Sequence, residues 1–307
     1  MIHFPLLSVI LPANTGLLFD ELMKIAAFDF IETTPFLERL LSLGQTEPVN
    51  QNFEALGFES LYVLQNLGSL FLAYVVYFCG LLLLLLTKCA KCKWCQTLRE
   101  HLSKWLFYGG LINLIVESYM TVIICCLIHA KNMSWSSYGE ITQSLATIFF
   151  FVLLLAFPIV ESTYLVFVFD KLTEKDVQAR HGAFYEELNL KKGRLVLVQP
   201  VWFLVRRFIL GVTVVLLNEA PVVWQFQLVM LIVLVQMVLL VSLNLFDSPS
   251  KLHRELVNEV VVMLALYHIM CFSEFVPEVD TRFMLGFSLN MLVAIWLLAS
   301  LGWVIFQ

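Results

Sequence analysis

Apolar residues run along this chain in blocks of 20 or more, not in the alternating or amphipathic spacing of a soluble domain. A helix rises 1.5 Å per residue, so about 20 such residues cross a hydrocarbon core about 30 Å thick. Residues 61–87, 220–246 and 283–307 carry no charge, and the first block ends in six consecutive leucines from Leu81 to Leu86. Residues 105–130 are interrupted only by Glu117, and residues 141–169 only by Glu161. Residues 200–218 contain Arg206 and Arg207, and residues 258–276 hold a charge-free stretch after Glu259. The pattern predicts an all-α polytopic transmembrane helix bundle with seven spans: 61–87, 105–130, 141–169, 200–218, 220–246, 258–276 and 283–306.

Residues 1–60 read differently. Pro5, Pro12, Pro35 and Pro48 punctuate short apolar runs, and acids outnumber bases. Asn14 is positioned to cap a helix whose Leu18, Leu22, Ile25 and Phe30 alternate with Asp20, Glu21 and Lys24, as in a helix lying in the membrane interface. The expectation is an extracellular interfacial segment followed by a seven-span domain over 61–307, with an eighth span as the rival reading. The start lacks the basic residues and cleavage site of a signal peptide. An exterior N-terminus is then simplest to explain if the chain is the end of a longer protein.

Basic residues set the orientation, because Lys and Arg accumulate in cytoplasmic loops. All of the 19 except Lys24, Arg39, Lys131 and Arg282 fall on one side of the seven-span arrangement. This predicts an exterior N-terminus, a cytoplasmic C-terminus and residence in the plasma membrane. Asn132-Met133-Ser134 is the only N-glycosylation sequon, and it lies in an exterior loop on this count.

Composition agrees. Of 307 residues 60% are apolar and 14% charged, with mean hydropathy +0.85, against about half and about a quarter in ordinary soluble domains. A net charge of -5 excludes a nucleic-acid-binding face. The expected partner is the lipid bilayer, and no cofactor is implied.

Ionisable groups inside a membrane are costly and mark functional sites or buried pairs. Glu117, near the centre of its span, fits an ion path, a proton site or a protonated carboxyl bonded to a neighbouring helix. Glu161 lies at nearly the depth of Arg206 and Arg207, so a carboxylate–arginine clamp is expected, with Glu259 as competing partner and snorkelling arginines as the alternative. A voltage sensor would repeat its charges along the helix. His268, with Gln225, Gln227, Gln236 and Asn290, lines a polar path or joins helices by hydrogen bonds. Cys89, Cys92, Cys95 and His101 form a weak zinc candidate, since three thiolates and an imidazole suit tetrahedral zinc. Acylation of membrane-proximal cysteines is the stronger reading, so no metal site is assigned. The mixed-charge stretch 171–194 rests on the inner leaflet, binds a partner or serves as a solvated connector.

Ordered motifs run through most of the chain: Phe4-Pro5-Leu6-Leu7-Ser8 with Leu11-Pro12-Ala13-Asn14, then Asn52-Phe53-Glu54-Ala55-Leu56-Gly57-Phe58 with Gln65-Asn66-Leu67-Gly68-Ser69, and Glu117-Ser118-Tyr119. They continue with His181-Gly182-Ala183-Phe184-Tyr185-Glu186-Glu187-Leu188, Arg206-Arg207 and Asn258-Glu259-Val260. This series resembles the C-terminal multi-pass membrane domain of large ciliate surface proteins, similar in turn to the transient-receptor-potential-like domain. The resemblance implies a multi-pass module, often following a long extracellular region, and carries over no functional residue.

Three functional classes follow. A channel or transport-related module is suggested by the resemblance and by polar groups at several depths. The loops between the last two spans and between the fourth and fifth are too short for a re-entrant selectivity filter. A pore would therefore form through the bundle or between the subunits of a homo-oligomer. A seven-helix receptor matches the count, but no acid–arginine pair ends the third span and no lysine sits in the last. A structural membrane anchor fits the lack of a catalytic motif. No Ser/His/Asp grouping, phosphate loop or H-E-x-x-H occurs, so an enzyme is not expected.

Overall fold

The computed structural model describes residues 3–26, 33–44, 46–89, 96, 99, 102–103, 106, 110–185 and 187–305. Among the described residues every regular element is a helix. In chain order they are α1 (Ala13–Ala26), α2 (Thr34–Leu41), α3 (Gln51–Ala55), α4 (Val63–Leu67), α5 (Ser69–Cys89), α6 (Gly110–Lys131) and α7 (Tyr138–Phe167). Then come α8 (Lys175–His181), α9 (Val198–Leu216), α10 (Val222–Leu243), α11 (Pro249–Cys271) and α12 (Val279–Ile305).

Six helical stretches are long and apolar enough to cross a membrane: Ser69–Thr87, Gly110–Lys131, Tyr138–Phe167, Arg194–Leu216, Val222–Leu243 and Val279–Trp303. This is the make-up of a multi-pass membrane protein. The six stretches correspond to six of the seven expected spans, and the sixth expected span, 258–276, lies on a helix outside this set. That helix, α11, falls short on apolarity because its first half carries Lys251, Arg254, Glu255 and Glu259. The outward faces are apolar where lipid would lie, as with Leu82, Leu83, Leu85 and Leu86 on α5. Such continuous exposed apolar surface is rare on water-soluble proteins.

The first expected span starts later than its apolarity suggests. Gly68, at φ 51 and ψ -128, separates α4 from α5 in a conformation open only to glycine. Ahead of it, Asn66 accepts from the Ser60 amide at 3.0 Å and donates to the Ser60 carbonyl, while the Ser60 hydroxyl donates to Gln65. The third span instead starts earlier, at Tyr138, because Ser137 and Glu140 form a capping box that makes the acidic residue part of the helix start.

The chain divides into two compact units, and residues 1–60 are shared between them. One unit comprises residues 29–46 and 60–209. Within it α6 is central: it packs on α4 and α7, and its Ile115, Tyr119, Ile123, Ile124 and Ile128 are almost fully buried. Hydroxyl bonds tie its neighbours in, from Tyr74 to Ser118 at 2.7 Å and from Tyr119 to the Leu154 carbonyl at 3.2 Å. At the start of α7, Gly139 lies against the Leu41 carbonyl, where a Cβ would collide with backbone.

The other unit comprises residues 1–28, 47–59 and 210–307. In it α11 packs on α10 and α12, and α1 packs on α12. Asn14 does not cap α1. It lies inside the helix, donates to the Phe283 carbonyl at 3.0 Å and accepts at its own carbonyl from Asn290 at 3.0 Å. Gly286 permits this crossing, since a Cβ there would meet Asn14 Oδ1 at 2.5 Å and Thr15 Oγ1 at 2.7 Å.

Candidate intramembrane polar site

Helix α6 is the most buried of the six apolar stretches, and its exposed side chains before the last turn are Asn113 and Glu117. They lie four residues apart and so share one face, one turn from each other. Beside them, Arg207 of α9 donates from Nη1 to the Val116 carbonyl at 2.5 Å. Its guanidinium lies 4.1 Å from the centre of the Phe203 ring, and the Glu117 carboxylate acts on it electrostatically. An arginine over an aromatic face is held by the ring quadrupole as well as by its hydrogen bond. Arg206 lies farther from the same ring, at 5.9 Å. Asn113 and Glu117 thus form the exposed polar strip of α6, with the Arg207 guanidinium bonded to the backbone of the adjacent Val116.

The expected clamp between Glu161 and an arginine does not form. Glu161 is buried and meets Nδ1 of His181 at 2.5 Å, and the His181 ring lies 4.7 Å from that of Tyr164. The physical reason is reach: α8 returns along the end of α7 and brings an imidazole to the carboxylate. Arg207 is meanwhile spent on the Val116 carbonyl. Depth matching treats each helix as a straight rod, and nothing in it anticipates a returning loop.

The remaining candidates have these settings. Glu259 is buried on α11. His268 donates from Nδ1 to the Leu264 carbonyl at 2.8 Å and meets Ser288 Oγ through Nε2 at 3.0 Å, joining α11 to α12. Gln225 is fully buried in a clasp with Ser8 and the Leu217 carbonyl. Asn132 is exposed, with its Nδ2 on the Ile128 carbonyl at 3.1 Å, and the sequon hydroxyl of Ser134 donates to Glu140 at 2.8 Å. Cys92, Cys95 and His101 lie outside the described residues, as does the side chain of Cys89. Among the described residues no group of three or more His, Cys, Asp or Glu could hold a metal ion.

Asn113, Phe203 and His181 are the site residues that apolar-block reading overlooks. Asn113 had a usable signal, since it stands four residues before Glu117 and so on the same helical face. No protein-family model matches the chain, and no curated protein or solved structure matches it.

Proposed function

We propose that the chain is a seven-span, transient-receptor-potential-like membrane module that passes ions, or a small charged solute, along the Asn113–Glu117 strip. It sits in the plasma membrane with an exterior N-terminus and a cytoplasmic C-terminus. The carrying observation is the exposed carboxylate on the most buried apolar helix. A carboxylate facing hydrocarbon is expensive, so this strip meets water within the membrane. Glu117 then offers a cation site whose charge is tempered by Arg207. The connections at 217–221 and 272–278 are too short for a re-entrant filter, so passage runs through the bundle or between subunits of a homo-oligomer.

The seventh crossing is supported by register. Asn258 on α11 accepts from Trp296 Nε1 at 3.0 Å, and His268, ten residues later, meets Ser288, eight residues earlier on α12. The two helices are therefore antiparallel between these contacts, over residues 258–268 and 288–296. A chain that returns along α12 crosses wherever α12 does, which makes the count odd and gathers the basic loops on one face.

A structural anchor is the second reading, favoured by the clasp on the N-terminal segment. Ser8 bonds the Asn218 carbonyl at 2.9 Å and Gln225 at 2.9 Å, and Asn50 donates to Asn218 at 3.0 Å. The clasp suits a rigid mount for an exterior segment. Ion flux into vesicles holding the purified protein separates the two. Flux that falls at least about tenfold in Glu117→Gln supports conduction, and silence across voltage, stretch and calcium supports the anchor.

A further inference from the structure

Where α7 ends, a cavity of about 480 Å³ opens between its last turn and α8. Its apolar side is Tyr164 and Phe167, both exposed in the final turn of an apolar helix. Its polar side carries two cations, Lys171 and Arg180, and three carboxylates, Asp170, Glu174 and Asp176. All five charged groups are exposed, and none is engaged in a side-chain hydrogen bond or ion pair among the described residues. The cavity walls are held together by the His181–Glu161 contact and by the Tyr164–His181 ring contact, which fasten α8 to α7.

We infer that this cavity binds a phosphodiester carrying an ammonium group, the headgroup of a zwitterionic phospholipid. Charge decides the class. A purely anionic headgroup would face three carboxylates and a simple cation would face Lys171 and Arg180, whereas a zwitterion satisfies both sets. The phosphate suits the Arg180 fork and the Lys171 ammonium, and the ligand's ammonium suits the carboxylates and the exposed aromatic faces. Depth decides the source. Phe167 closes the span, so the cavity opens where acyl chains give way to headgroups. The inference rests on α7 spanning the membrane, which incorporation of the purified protein into lipid nanodiscs reports separately.

The test uses the full chain in detergent, equilibrated with equal amounts of phosphatidylethanolamine, phosphatidylcholine and phosphatidylglycerol of identical acyl chains, with bound lipid counted by native mass spectrometry. Either zwitterionic lipid is retained over phosphatidylglycerol by about tenfold, a difference of about 1.4 kcal/mol. K171A combined with R180A abolishes retention, and D170N combined with D176N turns the preference toward phosphatidylglycerol. These side chains are exposed, so the variants keep the fold, and the wild-type lipid series stands without them. Equal retention of the three lipids, preference for phosphatidylglycerol or indifference to both double variants overturns the inference. Displacement by water-soluble glycerophosphoethanolamine at the concentration effective for the lipid overturns the assignment to a membrane source.

Discussion

Helices α6 and α12 are nearly alike in hydropathy and opposite as surfaces. Both are apolar enough to span a bilayer, yet 67% of the best apolar stretch of α6 is buried against 17% for α12. Beyond its first turn, what α12 turns outward is apolar apart from Ser288: Met284, Phe287, Met291, Ile295, Leu298 and Leu301. What α6 turns outward, before its last turn, is Asn113 and Glu117. Average apolarity says that a segment enters a membrane, and the position of its few polar residues says whether its open side meets lipid or water. A peripheral helix and a central one therefore carry the same hydropathy for different reasons.

Substitutions on each helix can break or sharpen this contrast. A large effect is expected on the narrow packed face of α12. Gly286→Ala places a methyl against Asn14, whose amide is already bonded to the Phe283 carbonyl. Overpacking of this kind costs about 1–3 kcal/mol, visible as a lowered thermal midpoint in detergent. Outward positions of α12 such as Met291→Leu should leave that midpoint unchanged.

On α6 the informative change is the neighbouring cation. Arg207→Met removes a charge-assisted bond to the Val116 carbonyl and the electrostatic companion of Glu117. A loss of about 1.5–3 kcal/mol is expected, smaller in the Glu117→Gln background, with the coupling measured by a double-mutant cycle. Equal losses in both backgrounds would mean that the two groups act independently. The smallest effect belongs to the α11–α12 contact: Ser288→Ala removes the His268 partner at a cost of about 0.6 kcal/mol, as for other interhelical bonds in membranes.

The helices themselves were legible because long charge-free blocks have few other outcomes. Their edges were less so. Gly68 interrupts an uncharged block through backbone conformation, which hydropathy does not register, and Glu140 opens α7 although its charge suggests a loop. The polar site was half legible. Glu117 stood out as a charge in an apolar run, but its outward direction depends on which faces α4 and α7 cover. The partnership of Glu161 with His181 depends on the return of α8, a tertiary event with no local signature. Asn14 was legible as a polar residue at a helix start, yet besides accepting from the Thr15 amide it donates across to α12 and accepts from Asn290 there.

The central claim is that the open side of α6 meets water within the membrane. Single cysteines at 113, 117, 291 and 295, each in a cysteine-free background and in intact vesicles, can be challenged with a membrane-impermeant thiol reagent. The account predicts modification of Asn113→Cys and Glu117→Cys, and none of Met291→Cys or Ile295→Cys. Protection of all four positions would contradict it, placing Glu117 in a dry environment and removing the basis for conduction.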